Sequence, residues 1–370
     1  MILEYLAIIL AATHFIVPLA YYWYMKVKWL NKPWDIKIDP NYKPKTTIIV
    51  PTYNEAKLIE KKLDNIYQQG YPGDKLEVIV VDSASDDGTP ELVKEWTREH
   101  PDLNLKLIEE PERRGKAVAL NTALKHTTGE IVIITDADAW WPSTNTISEV
   151  VKWFSDPIVG AVSCLKRPTG AGLAGVEQGY RQYYNVLRLA ESKAWATPIF
   201  HGELAAFRKE LLDKLGGFPT DVGADDSHTA IRIALMGYRA ITPKTLWCVE
   251  SIPQGKDYHS WRIRRAQHLI QHFLKTLKLK HKTSKTFKKI LRIEAYLHLL
   301  NPWLLITTTL LLIYGVFTKS IVSLFLLALG VILLAYRPYR SWISSQVYLS
   351  IGTIENLYSK EIVWTKQNKK

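Results

Sequence analysis

Gly129-Glu130-Ile131-Val132-Ile133-Ile134-Thr135-Asp136-Ala137-Asp138-Ala139-Trp140-Trp141 is the stretch on which the reading of the whole chain turns. Ile131 to Ile134 is a continuous β-branched run, the pattern of a strand covered on both faces of a parallel sheet. It stops at two carboxylates one residue apart, Asp136 and Asp138. In open α/β sheets, ligands collect beyond the carboxyl ends of the strands. Two acids there suit a hard divalent cation, and such a cation suits a diphosphate. An isolated Asp-x-Asp is also what an acidic turn after a strand looks like, so the flanking sequence has to decide.

Upstream, Thr46 to Val50 is a β-branched run closed by Pro51-Thr52-Tyr53-Asn54-Glu55. Leu58, Ile59, Leu63 and Ile66 then recur at helical spacing until Gly70-Tyr71-Pro72-Gly73 breaks the pattern. Leu76 to Val81 is a second apolar strand, ending at Asp82-Ser83-Ala84-Ser85-Asp86-Asp87-Gly88-Thr89. Thr89, as a cap, and Pro90 open a helix. Leu103 to Ile108 is a third strand, and Arg113-Arg114-Gly115-Lys116 leads into a helix through Leu124. This alternation predicts an α/β domain on a largely parallel, doubly wound sheet. A nucleotide would lie along the strand ends, with Asp82 accepting from the N–H of a base and Lys116 near phosphate at a helix N-terminus. Singly, Asp82 reads equally as a turn residue and Lys116 as a solvated one.

Together these segments resemble the family 2 glycosyltransferases, whose fold is GT-A, a Rossmann-like architecture. The resemblance covers roughly residues 45 to 270 and rests on four motifs: Pro51-Thr52-Tyr53-Asn54-Glu55, Val80 through Thr89, Gly115-Lys116-Ala117-Val118-Ala119-Leu120-Asn121, and Asp136-Ala137-Asp138. It implies that Pro51, Tyr53 and Glu55 line a nucleoside pocket and that Asp82 contacts the base. It implies that Asp136 and Asp138 meet ribose and diphosphate through Mg2+ or Mn2+, with Asp138 the main ligand. The family often has a second acid directly after the first Asp, and Ser83 stands there in this chain.

Further on, Gly202-Glu203-Leu204-Ala205-Ala206-Phe207-Arg208-Lys209 and Leu215-Gly216-Gly217-Phe218 look like the family's acceptor-side segment. Gly223-Ala224-Asp225-Asp226-Ser227-His228 resembles the acidic pair whose second member is the catalytic base of inverting enzymes, here Asp226, with Asp225 beside it. The pair also reads as a helix N-cap, and a carboxylate at a helix N-terminus is favoured in either role. The helix predicted from Thr229 to Met236 ends at Gly237. Where membrane-bound members have Gln-x-x-Arg-Trp, the nearest match is Arg262-Ile263-Arg264-Arg265-Ala266. Arg262 and Arg265 fall on one helix face and suit a phosphate, or a basic helix on a membrane surface. Ala266 stands in place of the tryptophan that helps processive synthases hold an acceptor end.

The 370 residues carry a net charge of +12, with 13 Trp and 19 Tyr, which suits a membrane interface and anionic ligands. Cys164 and Cys248 are the only cysteines, too few for a disulfide framework or a zinc site. Residues 2 to 25 hold one acid, Glu4, and no Lys or Arg, a composition and length suited to one membrane span. They lack the basic start and small-residue cleavage site of a signal peptide, and Tyr21-Tyr22-Trp23-Tyr24 followed by Lys26, Lys28 and Lys32 sets the following segment in the cytoplasm. From Lys275 to Arg292 lysines interleave with apolar residues and no acid occurs, as on a helix lying against an anionic leaflet; no nucleic-acid motif accompanies the charge. Leu297 to Phe317 and Ile321 to Tyr336 read as a two-span hairpin, and Trp342 to Leu357 as an interfacial helix.

The expected order is therefore a transmembrane helix (1–25), a linker (26–44), a GT-A domain (45–250), a gating segment with basic interfacial helices (251–296), a transmembrane hairpin (297–336) and an interfacial tail (337–370). The expected protein is a multi-pass, cell-membrane inverting glycosyltransferase working at the cytoplasmic face. It would move a sugar from a nucleotide-diphosphate donor, a UDP-sugar ahead of a GDP-sugar, to a lipid or lipid-linked acceptor. A processive polysaccharide synthase and a catalytically silent membrane scaffold are the rival readings.

Overall fold

The computed structural model describes residues 2–169, 174–279 and 283–359. Helix α1 (Ile2–Met25) continues through a π-helical turn, Lys26–Leu30, into the linker. The α/β body then runs β1 (Thr46–Thr52), α2 (Ile59–Tyr67), β2 (Leu76–Ser83), α3 (Thr89–Glu99), β3 (Asn104–Glu110), α4 (Lys116–Leu124) and β4 (Ile131–Ile134). It goes on through α5 (Thr146–Val151), β5 (Val159–Ser163), β6 (Leu165–Thr169), α6 (Ala174–Ala194), β7 (Ala205–Arg208), α7 (Lys209–Leu215), α8 (Asp225–Leu235), β8 (Arg239–Ile241) and β9 (Trp247–Ser251). Five helices close the chain: α9 (Lys256–Thr276), α10 (Lys285–Ala295), α11 (Asn301–Phe317), α12 (Ile321–Leu333) and α13 (Arg337–Tyr358).

The sheet order is β3-β2-β1-β4-β7-β5-β8. Six strands agree with the parallel expectation, and β7 runs antiparallel to both β4 and β5. A separate pair, β6 with β9, is parallel and has no counterpart in the sequence reading. Strand order reverses between β1 and β4, which opens a crevice beyond their carboxyl ends. The β-branched runs alternate between two cores. Ile49, Ile79, Val132 and Ile134 pack on one side, and Ile48, Val50, Val78, Val80, Ile131 and Ile133 on the other. Both faces are covered, which is why these strands show no polar alternation.

Two elements start differently from their sequence signals. Helix α3 begins at Thr89 rather than being capped by it: Asp87 Oδ1 accepts from the Thr89 amide at 3.1 Å, and the Thr89 hydroxyl accepts from the Glu55 amide at 2.8 Å. Helix α8 begins at Asp225, four residues ahead of its apolar periodicity, so both acids sit in its first turn.

At the membrane end, Ile2–Leu30 and Lys285–Phe317 are long and apolar enough to cross a bilayer. The basic stretch from Lys285 thus opens the second of these helices instead of forming a separate surface helix, because Phe287, Ile290 and Leu291 turn into the core. The expected hairpin is altered. Helix α12 has 13 residues, about 20 Å at 1.5 Å per residue, short of a hydrocarbon core of roughly 30 Å. It meets α13 at 106°, and only as one broken span would the pair make a third crossing. Nor is α13 a surface tail: it packs on α9, α6 and α11. Its buried face is Ser341, Ser345, Gln346, Leu349, Ser350 and Gly352, of which only Leu349 joins an apolar cluster, with Ala266 and Ile270 of α9. Residues 280–282 and 360–370 of the expected basic and tail segments lie outside the described residues.

Candidate active site

A cavity of about 300 Å³ opens beyond the ends of β1 and β4. Its floor is the pair of loops after β1 and β2, which hold each other. The Asn54 amide donates to Ser85 Oγ at 2.8 Å, Asn54 Nδ2 to Asp86 Oδ1 at 2.8 Å, and the Ala56 amide to Asp87 Oδ2 at 3.1 Å. Pro51, Tyr53, Glu55 and Ser83 line the cavity, and the Arg113 guanidinium stacks 3.9 Å over the Tyr53 ring.

Asp82 departs from expectation. It is 1% exposed and does not line the cavity. Its carboxylate accepts from Thr52 Oγ1 at 3.0 Å, Ser85 Oγ at 2.6 Å and the Ser85 amide at 2.8 Å. Strand spacing places the residue at the tip, but Ser85, three positions on, turns the carboxylate into the turn. Ser83, on the other side of the strand, faces the space instead, its hydroxyl bonded to Glu110 Oε2 at 2.9 Å.

The chemically dense point lies over Gly202. A side-chain carbon on this residue would stand 2.7 Å from Lys116 Nζ, 3.5 Å from Asp226 Oδ2 and 3.7 Å from Asp136 Oδ2. Three elements deliver these groups: the first residue of α4, the first turn of α8, and the end of β4. Lys116 Nζ is paired with Asp136 Oδ1 at 2.5 Å. Burial alone would lower the pKa of this ammonium, but Asp136, Asp225 and Asp226 together reverse that and hold it fully charged. Asp226 Oδ1 accepts the Ser227 amide at 2.6 Å. Burial, then repulsion from Asp225, raises the Asp226 carboxyl to about 7. Asp225 Oδ2 is buried with no hydrogen-bond partner, and burial raises its carboxyl too.

Asp138 lines the same cavity beside Asp136. Among the described residues no group of three or more His, Cys, Asp or Glu is gathered for a metal. One or two carboxylates at an open strand end therefore fit a hard cation that takes its remaining oxygens from phosphate and water, and do not fit a closed zinc site.

The far wall is ionic. Glu250 of β9, 3% exposed, is gripped by Lys166 at 3.2 Å, Arg181 at 3.3 Å and Arg265 at 2.5 Å, and Lys166 also pairs with Glu203. Arg262 pairs with Glu177 at 3.0 Å, where the Tyr258 hydroxyl also donates at 2.9 Å. Arg262 and Arg265 thus line the cavity, but each already holds a buried acid. Lys166, Arg181, Glu203 and Glu250 escaped the sequence reading as site residues. They come from four separate elements, and only the Gly202-Glu203 motif gave a local signal.

Residues 47–216 match the description Glycosyl transferase family 2. A mannosyltransferase of Pyrobaculum calidifontis, solved in complex with GDP-Man and Mn2+, is 60% identical, with a TM-score of 0.91 over 97% of this chain and 100% of its own. A poly-beta-1,6-N-acetyl-D-glucosamine synthase of Staphylococcus epidermidis is 24% identical over 280 residues, 74% of this chain and 67% of that protein. A probable glycosyltransferase of Bacillus subtilis is 26% identical over 204 residues, which span 53% of this chain and 48% of that protein.

Proposed function

The chain belongs to the family 2 glycosyltransferases, and from that premise we propose that it transfers mannose from GDP-mannose to a lipid-linked acceptor at the membrane surface, with inversion. The donor is taken from the 60% identical mannosyltransferase solved with GDP-Man, which moves a GDP-sugar ahead of the UDP-sugar favoured on sequence alone. The observation that carries the chemistry is the meeting of Lys116, Asp136 and Asp226 over Gly202.

In this reading Pro51, Tyr53 and Glu55 receive the nucleoside, and Asp82 shapes their loop from beneath instead of touching the base. A divalent cation at Asp138 and Asp136, Mg2+ or Mn2+, supplies positive charge to the leaving diphosphate. Lys116 adds a fixed charge to the same face. Asp226, with Oδ1 held by the Ser227 amide, uses Oδ2 to take the proton of the acceptor hydroxyl, and its pKa near 7 suits that task. The acceptor oxygen bonds to the anomeric carbon as the carbon–oxygen bond to the diphosphate breaks, and GDP leaves with the electron pair. Attack comes from the opposite face, so the configuration inverts. Asp225 and the Glu203–Lys166–Glu250 wall set the polarity around the sugar.

The lipid-linked acceptor is supported by the cavity's remaining side. Tyr348 and Leu349 of α13 line it, on the helix that directly follows the apolar α12. The lysines after Tyr24 favour a cytoplasmic catalytic body (45–250). The test is a panel of GDP-mannose, UDP-glucose and UDP-N-acetylglucosamine with polyprenyl phosphate and lipid-linked glycans, products weighed by mass spectrometry. We expect a mass gain of one hexose from GDP-mannose, lost with EDTA. Turnover from UDP-sugars alone overturns the donor assignment.

A further inference from the structure

The polar face of α2 runs beneath the Asp136–Ala139 turn and continues past the helix end to Gln69. Lys62, Asn65 and Gln69 are 1%, 3% and 2% exposed. Gln69 Nε2 donates to the Ser143 carbonyl at 2.8 Å and its Oε1 accepts the Thr146 amide at 2.8 Å. Asn65 exchanges two bonds with the Trp141 backbone, at 2.9 and 3.0 Å. Lys62 Nζ donates to the Ala139 carbonyl at 3.0 Å and lies 4.1 Å from the centre of the Trp141 ring. The Ala139 amide in turn closes the turn onto the Asp136 carbonyl at 3.1 Å. The stitching therefore begins one residue after Asp138.

Two of these three side chains are neutral amides doing what buried amides do. Lys62 is different: its partners are a carbonyl oxygen and an indole face, not a carboxylate. Burial pulls the ammonium down to about 8, and the charges acting on it include Asp136 and Asp138. Such a group is disfavoured in a core unless it has work that an apolar chain of the same length cannot do.

We propose that Lys62 is a positioning residue for the cation-binding turn: by holding the Ala139 carbonyl from below it fixes Asp138 at the cavity edge. This rests on the reading that Asp136 and Asp138 hold a divalent cation. Electrostatics gives the test a sign. A buried positive charge by itself repels a nearby cation, so a variant that lost only charge would bind Mn2+ more tightly. A variant that lost the position of the turn would bind it less tightly.

The measurement is calorimetric titration of GDP into the full-length protein in detergent across a series of Mn2+ concentrations, with thermal unfolding of each variant. In the parent, Mn2+ should tighten GDP binding; if it does not, the cation reading itself fails, independently of Lys62. Lys62→Met should need about tenfold more Mn2+ for half-maximal tightening, the scale of losses at residues that support metal ligands, with an unchanged or higher Tm. Lys62→Arg, which keeps a donor and the charge, should stay close to the parent. The proposal falls if Lys62→Met binds Mn2+ as tightly as the parent or more so. It also falls if Lys62→Arg loses as much as Lys62→Met, or if Lys62→Met lacks a cooperative transition, since Lys62 would then be a determinant of the fold.

Discussion

Asp226 is a carboxyl kept out of water beside a second acid, and both its stability and its chemistry follow from that. Its ordinary pKa of 3.8 is raised to about 7. Between those values the unfolded chain has lost the proton and the folded chain keeps it, so stability falls as pH rises through this window. In the proposed role of base Asp226 acts in its ionised form, so kcat/KM should rise over the upper part of the same window, towards a plateau above about pH 7. Asp226→Asn should lower kcat by about 10² to 10⁴-fold, the range for a lost general base, and leave GDP binding in place. At pH 8 the same variant should be more stable, by about 0.5–2 kcal/mol, read as a raised Tm. Gly202→Ala is the companion test. Its methyl would meet Lys116 Nζ at 2.7 Å, the far end of a flexible chain. The fold should survive while the Lys116–Asp136 pair is displaced, and the KM for the donor should rise. At this scale the sequence was legible where a motif falls at the end of an element: Asp136 and Asp138 after β4 and Asp226 in the first turn of α8 do line one cavity. It misplaced Asp82 because spacing says which residue ends a strand, not which neighbour captures its oxygens.

Among the elements, α9 and α13 cross closely beside the site. A Cβ on Gly352 would lie 2.8 Å from the Gln267 amide nitrogen and 2.9 Å from Ala266 Cβ. Neither neighbour can swing aside, since one is backbone and the other a methyl on it. Gly352→Val should therefore destabilise the protein by about 1–3 kcal/mol, the range for overpacking, seen as a lower Tm in detergent. The small residue at 266, read from sequence only as a missing tryptophan, is what lets α13 lie against α9. Strands β1, β2 and β4 were readable because burial on both faces leaves a largely apolar run, and the edge strand β3 because its leucines alternate with polar residues. Helix α13 was read as a helix but not as a packed one, because its buried face is mostly serine, glutamine and glycine and carries little apolar signal. Helices α10 and α11 merge because no proline or glycine lies between them, and Pro302 follows a π-helical turn, Tyr296–Leu300, of the kind that accommodates a break in the α-helical hydrogen-bond ladder.

At the level of the whole molecule, a doubly wound sheet is joined to helices suited to lipid. Ile2–Leu30 and Lys285–Phe317 present most of their apolar surface outward. The protein should stay with membranes through high-salt and carbonate washes and be released by detergent; release by salt alone would reduce its attachment to charge. The alternation of strands and helices made the catalytic body legible. The count of crossings was not legible, because hydropathy measures how apolar a segment is and says nothing of a 106° bend.

The first helix does more than hold the enzyme at a surface. Tyr21 donates to Glu191 Oε1 at 2.7 Å, and Glu191 also binds Arg188, which lines the cavity. Tyr21 and Met25 belong to the same apolar cluster as Phe200 and Phe207. Cutting the chain before Thr46 to obtain a water-soluble preparation would therefore open the interior as well as strip off a tether. The shortened protein would bare an acid and a greasy hollow at the back of its own reaction chamber.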